Sequence, residues 1–214
     1  MLSKPTASKP KALNIWLKTI ILWSKMVNEK IKILQLLIEK KDENLSIRQI
    51  SKLRKINYKS AYNAVQTLND ESVVELIRVG NSFNVKFNWN FNQSVYLAES
   101  YRKEELLKNK DLKSIYQDLT KLNFSFIALV FGSYASNTQN KHSDIDMMVV
   151  GGKEEIIKRV LALFPFKIHF NWFSFEDFFR MLQTKEFSVV SEAVKNNIII
   201  IGIEEYYRLI QNAG

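Results

Sequence analysis

Two stretches decide the reading: Phe126-Ile127-Ala128-Leu129-Val130-Phe131-Gly132-Ser133 and Ser143-Asp144-Ile145-Asp146-Met147-Met148-Val149-Val150. The first is an apolar run long enough for a buried strand, stopped by Gly-Ser. The second enters another apolar run through two aspartates separated by one residue. Side chains on a strand alternate between faces, so Asp144 and Asp146 project together while Ile145 points into the core. Two carboxylates side by side repel unless a cation lies between them. Such a pair is a hard-oxygen site suited to Mg2+ or Mn2+. A Gly-Ser turn lets a phosphate come close to the backbone, and a short helix starting at Ser133 would direct N–H groups at an anion. Together these parts could hold a metal–triphosphate and orient it for in-line attack.

The flanking sequence supplies the rest of a sheet-and-helix domain. Glu154 to Phe164 has a helical pattern that Pro165 stops. Phe166 to Phe173 reads as a third strand, with Phe166, Ile168, Phe170 and Trp172 on one face and Lys167, His169 and Asn171 on the other. A helix opening at Phe175, another over 188–197, the apolar run Ile198–Ile201 and a last helix at about 203–212 follow.

Gly132-Ser133, ten intervening residues and Asp144-Ile145-Asp146 resemble the signature of the nucleotidyltransferase superfamily typified by DNA polymerase β. The GSYA…SDIDMMVV form is similar to the minimal nucleotidyltransferases that often serve as antitoxin components of toxin–antitoxin pairs. The resemblance implies Mg2+ (or Mn2+) held by Asp144 and Asp146 as the catalytic pair. It also implies a nucleoside triphosphate bound through Gly132 and Ser133, and an acceptor hydroxyl on a protein toxin or an RNA. This chain departs from the pattern on the third strand, where active members carry another carboxylate. His169 or Asn171 stands at that place. Either can ligate a metal, and neither adds negative charge. An imidazole ordinarily titrates near neutral pH and can serve as a base. The segment after Gly-Ser-Tyr-Ala reads Ser136-Asn137, without the basic residue the family often has there.

Upstream, residues 29–92 follow a different plan. Glu29 to Lys41 is amphipathic, with Ile33, Leu34, Leu37 and Ile38 on one face. Ser46 and Gln49 form a capping box for a short helix at about 47–53. Asn57 caps a third helix at about 58–69, with Ala61, Val65 and Leu68 inward. Val73 to Asn88 alternates as two strands around Gly80-Asn81, a turn dipeptide. This order resembles the winged helix-turn-helix domains of bacterial and archaeal regulators, and implies that the third helix enters the DNA major groove. Lys52, Arg54, Lys55, Tyr58, Lys59, Ser60 and Asn63 are then the candidate DNA-binding residues, the cations beside phosphates and the polar groups toward base edges.

The expected class is a two-domain α+β protein. A basic extension (1–25) precedes a winged helix-turn-helix domain (26–92), a helical linker (93–122) and a nucleotidyltransferase domain (123–214) whose mixed sheet is flanked by helices. Leu97, Tyr101 and Leu106, then Leu112, Ile115, Tyr116 and Leu119, are the linker's expected buried positions. The chain of 214 residues carries 31 Lys+Arg against 22 Asp+Glu and no Cys. The absence of Cys excludes a disulfide scaffold, a Cys-type zinc site and a cysteine nucleophile, and fits a cytoplasmic protein. The excess of nine positive charges lies entirely within residues 1–92, which hold 16 Lys+Arg and 7 Asp+Glu. It points to a polyanionic partner for that half. Residues 12–23 have Leu13, Trp16, Leu17, Ile20 and Trp23 at helical spacing, but Lys18 interrupts the run. It is too short to span a bilayer and lacks a leader's cleavage pattern. Membrane attachment is not expected. If translation starts at Met26, the 26–92 segment keeps a charge of +4. A homodimer is expected from the resemblance to winged-helix regulators. The alternative function is a DNA-binding regulator whose second domain binds nucleotide with impaired turnover.

Overall fold

The computed structural model describes residues 28–184 and 188–213. The basic extension and its apolar 12–23 segment lie outside the described residues.

The chain enters through helix α1 (28–39), whose Ile33, Leu34, Leu37 and Ile38 are buried as their spacing requires. Strand β1 (Leu45–Ser46) leads directly into α2 (Ile47–Leu53), and α3 (Tyr58–Asp70) follows. Both helix starts are set by side chains. The Ser46 Oγ accepts from Gln49 N, while Gln49 Oε1 accepts from Ser46 N at 2.8 Å. Asn57 Oδ1 accepts from Ser60 N at 2.8 Å. Strands β2 (Val74–Val79) and β3 (Ser82–Phe87) pair antiparallel around Gly80-Asn81. The two-residue strand β1, absent from the sequence expectation, pairs with β3 to complete the sheet order β1-β3-β2. Its partner lies about forty residues away in sequence, so no local pattern announces it.

Helices α4 (Gln93–Leu106) and α5 (Lys110–Leu119) come next. The second sheet holds β4 (Phe126–Phe131), β5 (Ile145–Gly151), β6 (Ile168–Phe173) and β7 (Asn197–Ile201) in the order β6-β5-β4-β7. Only β5 and β6 run parallel, which makes the sheet mixed. The short α6 (Gly132–Ala135) follows β4, and α7 (Glu154–Leu161) crosses from β5 to β6. The remaining helices are α8 (Phe175–Gln183), α9 (Val189–Lys195) and α10 (Ile203–Ala213).

Alternation along the strands builds two apolar layers. Ala128, Val130, Ile145, Met147 and Val149 face α5 and α7 through Leu112, Ile115, Leu119 and Ile157. Ile127, Leu129, Met148 and Val150 face the other way, toward Val95, Ala98, Phe178, Val190 and Tyr206. This second layer is continuous with the core of α1, α2, α3 and the hairpin. Tyr207 makes the join, its ring 6.3 Å from Phe87, 6.1 Å from Trp89 and 5.6 Å from Phe91.

The buried face of α4 differs from expectation. Leu97 is 36% exposed and Tyr101 52%, while Glu99 and Arg102 are buried. Arg102 Nη1 donates to Glu99 Oε2 at 2.6 Å, and its Nη2 donates to the Asn197 carbonyl at 2.6 Å. Tyr207 Oη donates to Glu99 Oε1 at 2.8 Å. Burial works against the Arg102 charge, but Glu99 beside it outweighs that and holds the guanidinium above its ordinary pKa. A helix that buries a satisfied ion pair shows little hydrophobic periodicity, so an apolar template misassigns its inner face.

Candidate functional site

The site lies where β4 ends and β5, β6 and β7 begin. Phe131 pairs with Asp146 across β4 and β5, and Asp146 pairs with His169 across the parallel β5 and β6. These registers bring the Gly-Ser turn, the carboxylate pair and the third strand to one edge of the sheet. Ile145 is buried between the aspartates, as the alternation requires.

Asp144 and Asp146 are joined by one imidazole. His169 Nδ1 lies 3.1 Å from Asp146 Oδ1, and its Nε2 lies 3.3 Å from Asp144 Oδ2. Lys167 Nζ donates to the same Asp144 oxygen at 2.7 Å. This hydrogen bond, opposed by desolvation and aided by the charges of Lys167 and His169, holds Asp144 below the usual carboxylate range. Of the two third-strand candidates, His169 is therefore the one beside the carboxylates. Asn171 is one step further in, paired with Met148. Lys167 was not singled out from sequence. The signal was its place two residues before His169 on the same strand face.

Gly132 has a structural reason to be glycine. Its φ is +64°, and an added Cβ would fall on Asp146 Oδ2, 3.2 Å from Asp146 Cγ. The turn is thus shaped around the second aspartate. Ser133 begins the turn of α6, half-buried. Beyond it, Ser136 Oγ accepts from Asn196 Nδ2 at 2.6 Å, tying this segment to the residue before β7. Glu176 and Asp177 cannot supply a third carboxylate. They follow Phe173, which pairs with Val150 at the opposite end of β5, and the Asp177 carboxylate accepts from the hydroxyl of Ser174, the residue that caps α8.

Two carboxylates fit one hard divalent ion, since Mg2+ is ordinarily bound by one or two carboxylates with water and phosphate completing its shell. The donor set does not extend to a second ion. Among the described residues no group of three or more His, Cys, Asp or Glu side chains is arranged to hold a metal.

On the other half of the chain, Lys52, Lys55, Tyr58, Lys59 and Asn63 are exposed and Ser60 is half-buried. The Tyr58 and Tyr62 rings stack on the outer side of α3, with centroids 6.4 Å apart. Arg54 instead turns back to α1, where its Nη2 lies 3.3 Å from Glu39 Oε2. Among the described residues, no helix is long and apolar enough to cross a membrane.

Residues 110–206 match the family model described as Polymerase beta, Nucleotidyltransferase. The match takes in α5, all four strands of the second sheet and the whole of the aspartate site, and it points to nucleotidyl transfer as the general chemistry of this part of the chain. No significant match to the chain occurs among curated proteins or among solved structures.

Proposed function

We propose that this protein transfers a nucleoside monophosphate from a nucleoside triphosphate to a hydroxyl of a protein or RNA acceptor, in an Mg2+-dependent reaction. The observation that carries the reading is the convergence of Asp144 and Asp146 beside the Gly132-Ser133 turn, within a segment matching a nucleotidyltransferase family. Asp144 and Asp146 would hold the ion, which would neutralise phosphate charge as a Lewis acid. Gly132 and Ser133 would receive the β and γ phosphates. The acceptor oxygen bonds to the α-phosphorus, the bond to the α,β-bridging oxygen breaks, and pyrophosphate leaves. His169, the imidazole at hand, accepts the hydroxyl proton once it has left the carboxylates.

Residues 26–92 act in this reading as a winged helix-turn-helix domain that binds DNA, joined through the 93–122 helices to the transferase domain over 123–214. Lys52, Lys55 and Lys59 would meet phosphates, and Tyr58, Ser60 and Asn63 base edges. Arg54 would have to leave Glu39 to take part. A cognate protein toxin is one acceptor of this kind beside RNA, and would make this chain the antitoxin of a pair. A homodimer would present two such helices to a palindromic operator.

A second reading has its own support. The β6 face beside the aspartates carries Lys167 and His169 and no carboxylate. This favours a regulator that binds nucleotide without turnover. Incubation with α-labelled triphosphates, Mg2+ and cell lysate separates the two. Label passing to an acceptor with wild type, and lost in Asp144→Ala/Asp146→Ala, is the expected result. Triphosphate binding without transfer would leave the regulator. For the DNA-binding half, the logarithm of affinity should fall steeply with the logarithm of salt, and a flat response would refute phosphate contacts.

A further inference from the structure

The third strand changes the charge of the site as well as its ligand count. Where an acid would complete a second metal position, this chain places two nitrogen-bearing side chains against the aspartates. Lys167 Nζ is 2.7 Å from Asp144 Oδ2, and His169 spans both carboxylates at 3.1 and 3.3 Å. The Lys167 side chain is 68% exposed and that of His169 50%, so both can move without disturbing the core. An ammonium is a compact point charge with three donors on a flexible stem, and it serves widely as a phosphate ligand.

We propose that Lys167 is the built-in second cation of this site. The aspartates take a single divalent ion with the triphosphate, and Lys167 turns from Asp144 to the triphosphate oxygens when that complex enters. The inference rests on the nucleotide-site reading above and adds the ion stoichiometry and the side chain that takes the second ion's place. A second dication would meet the positive charge of Lys167 close by and find no third carboxylate.

The test is a Mn2+ titration of the full chain, read by electron paramagnetic resonance, with a triphosphate analogue carrying a methylene group between the α and β phosphorus atoms. Wild type is expected to bind one Mn2+ per chain in the presence of the analogue. Lys167→Met should still bind one, with analogue affinity lower by about 10- to 100-fold, as for loss of a charged hydrogen bond. Lys167→Ala/His169→Asp should bind two, showing the magnetic coupling of neighbouring ions. Two coupled ions in wild type, unchanged analogue affinity in Lys167→Met, or a single ion in the double variant would each overturn the proposal while leaving a nucleotide site standing. Failure of wild type to bind the analogue at any Mn2+ concentration would instead remove the nucleotide-site reading, and this inference with it.

Discussion

Replacing Gly132 by alanine separates a backbone role from a site role. The substitution has two costs. The φ of +64° puts an L-residue in the left-handed region, at about 1–2 kcal/mol. The new Cβ also lands on Asp146 Oδ2, and restoring ordinary van der Waals separation moves that carboxylate by about 1 Å. The shift would loosen the 3.1 Å contact between Asp146 and His169 and misplace one of the two carboxylates proposed to hold the ion. Misplacement on this scale can lower a reaction rate by about a hundredfold. Gly80 provides the control, because its φ is +58° but nothing lies within 4 Å of its would-be Cβ. Gly80→Ala should therefore show the backbone cost alone. Urea denaturation measures the stability of both variants, and titration with Mn2+ and triphosphate measures the site. Both should lose about 1–2 kcal/mol of stability, while only Gly132→Ala loses ion affinity and transfer. A Gly132→Ala protein that binds ion and nucleotide like wild type would refute the claim that this turn is shaped around Asp146.

The buried polar cluster yields further predictions. Lys41 is buried over the Trp89 ring, its Nζ 5.0 Å from the centroid, and burial, aided by nearby Arg102, lowers its pKa from 10.5 to about 8. From pH 7 to pH 9, below the titration of the tyrosines, Lys41 holds its proton more often in the unfolded chain than in the folded one, so stability should rise by about 1 kcal/mol. Lys41→Met should abolish that rise in denaturation curves taken across the range. Arg102→Met would leave Glu99 buried without its charged partner, held by Tyr207 Oη, and should cost about 3–5 kcal/mol, whereas Glu99→Leu/Arg102→Met should cost less than the single change. A cost in the double variant equal to or above that of Arg102→Met would contradict this account of the pair. Asn57→Ala removes the acceptor for Ser60 N and should lower the melting temperature by an amount equivalent to about 1 kcal/mol.

The parts legible in the sequence were those set by short-range patterns. Ser46 with Gln49 and Asn57 with Ser60 announce two helix starts because each cap acts over three residues. The alternation in Asp144-Ile145-Asp146 places both carboxylates together for the same reason. What stayed hidden depends on pairing across the fold. The parallel register of β5 and β6 decides that His169 meets Asp146 while Asn171 lies beside Met148. The ion pair between Lys167 and Asp144 spans 23 residues. The inner face of α4 was misread because Glu99 and Arg102 are buried through partners on β7 and α10, residues 197 and 207. An isolated helix gives no sign that such partners exist.

The central claim is that the aspartate site moves a nucleotidyl group. It is tested most directly by supplying the protein with one triphosphate labelled at the α-phosphorus and, separately, at the γ-phosphorus, with Mg2+ and the acceptor fraction. Nucleotidyl transfer leaves the α label on the acceptor and releases the γ label in pyrophosphate, and both products should vanish in Asp144→Ala/Asp146→Ala. Appearance of the γ label on the acceptor, or α labelling that survives the double substitution, would contradict it.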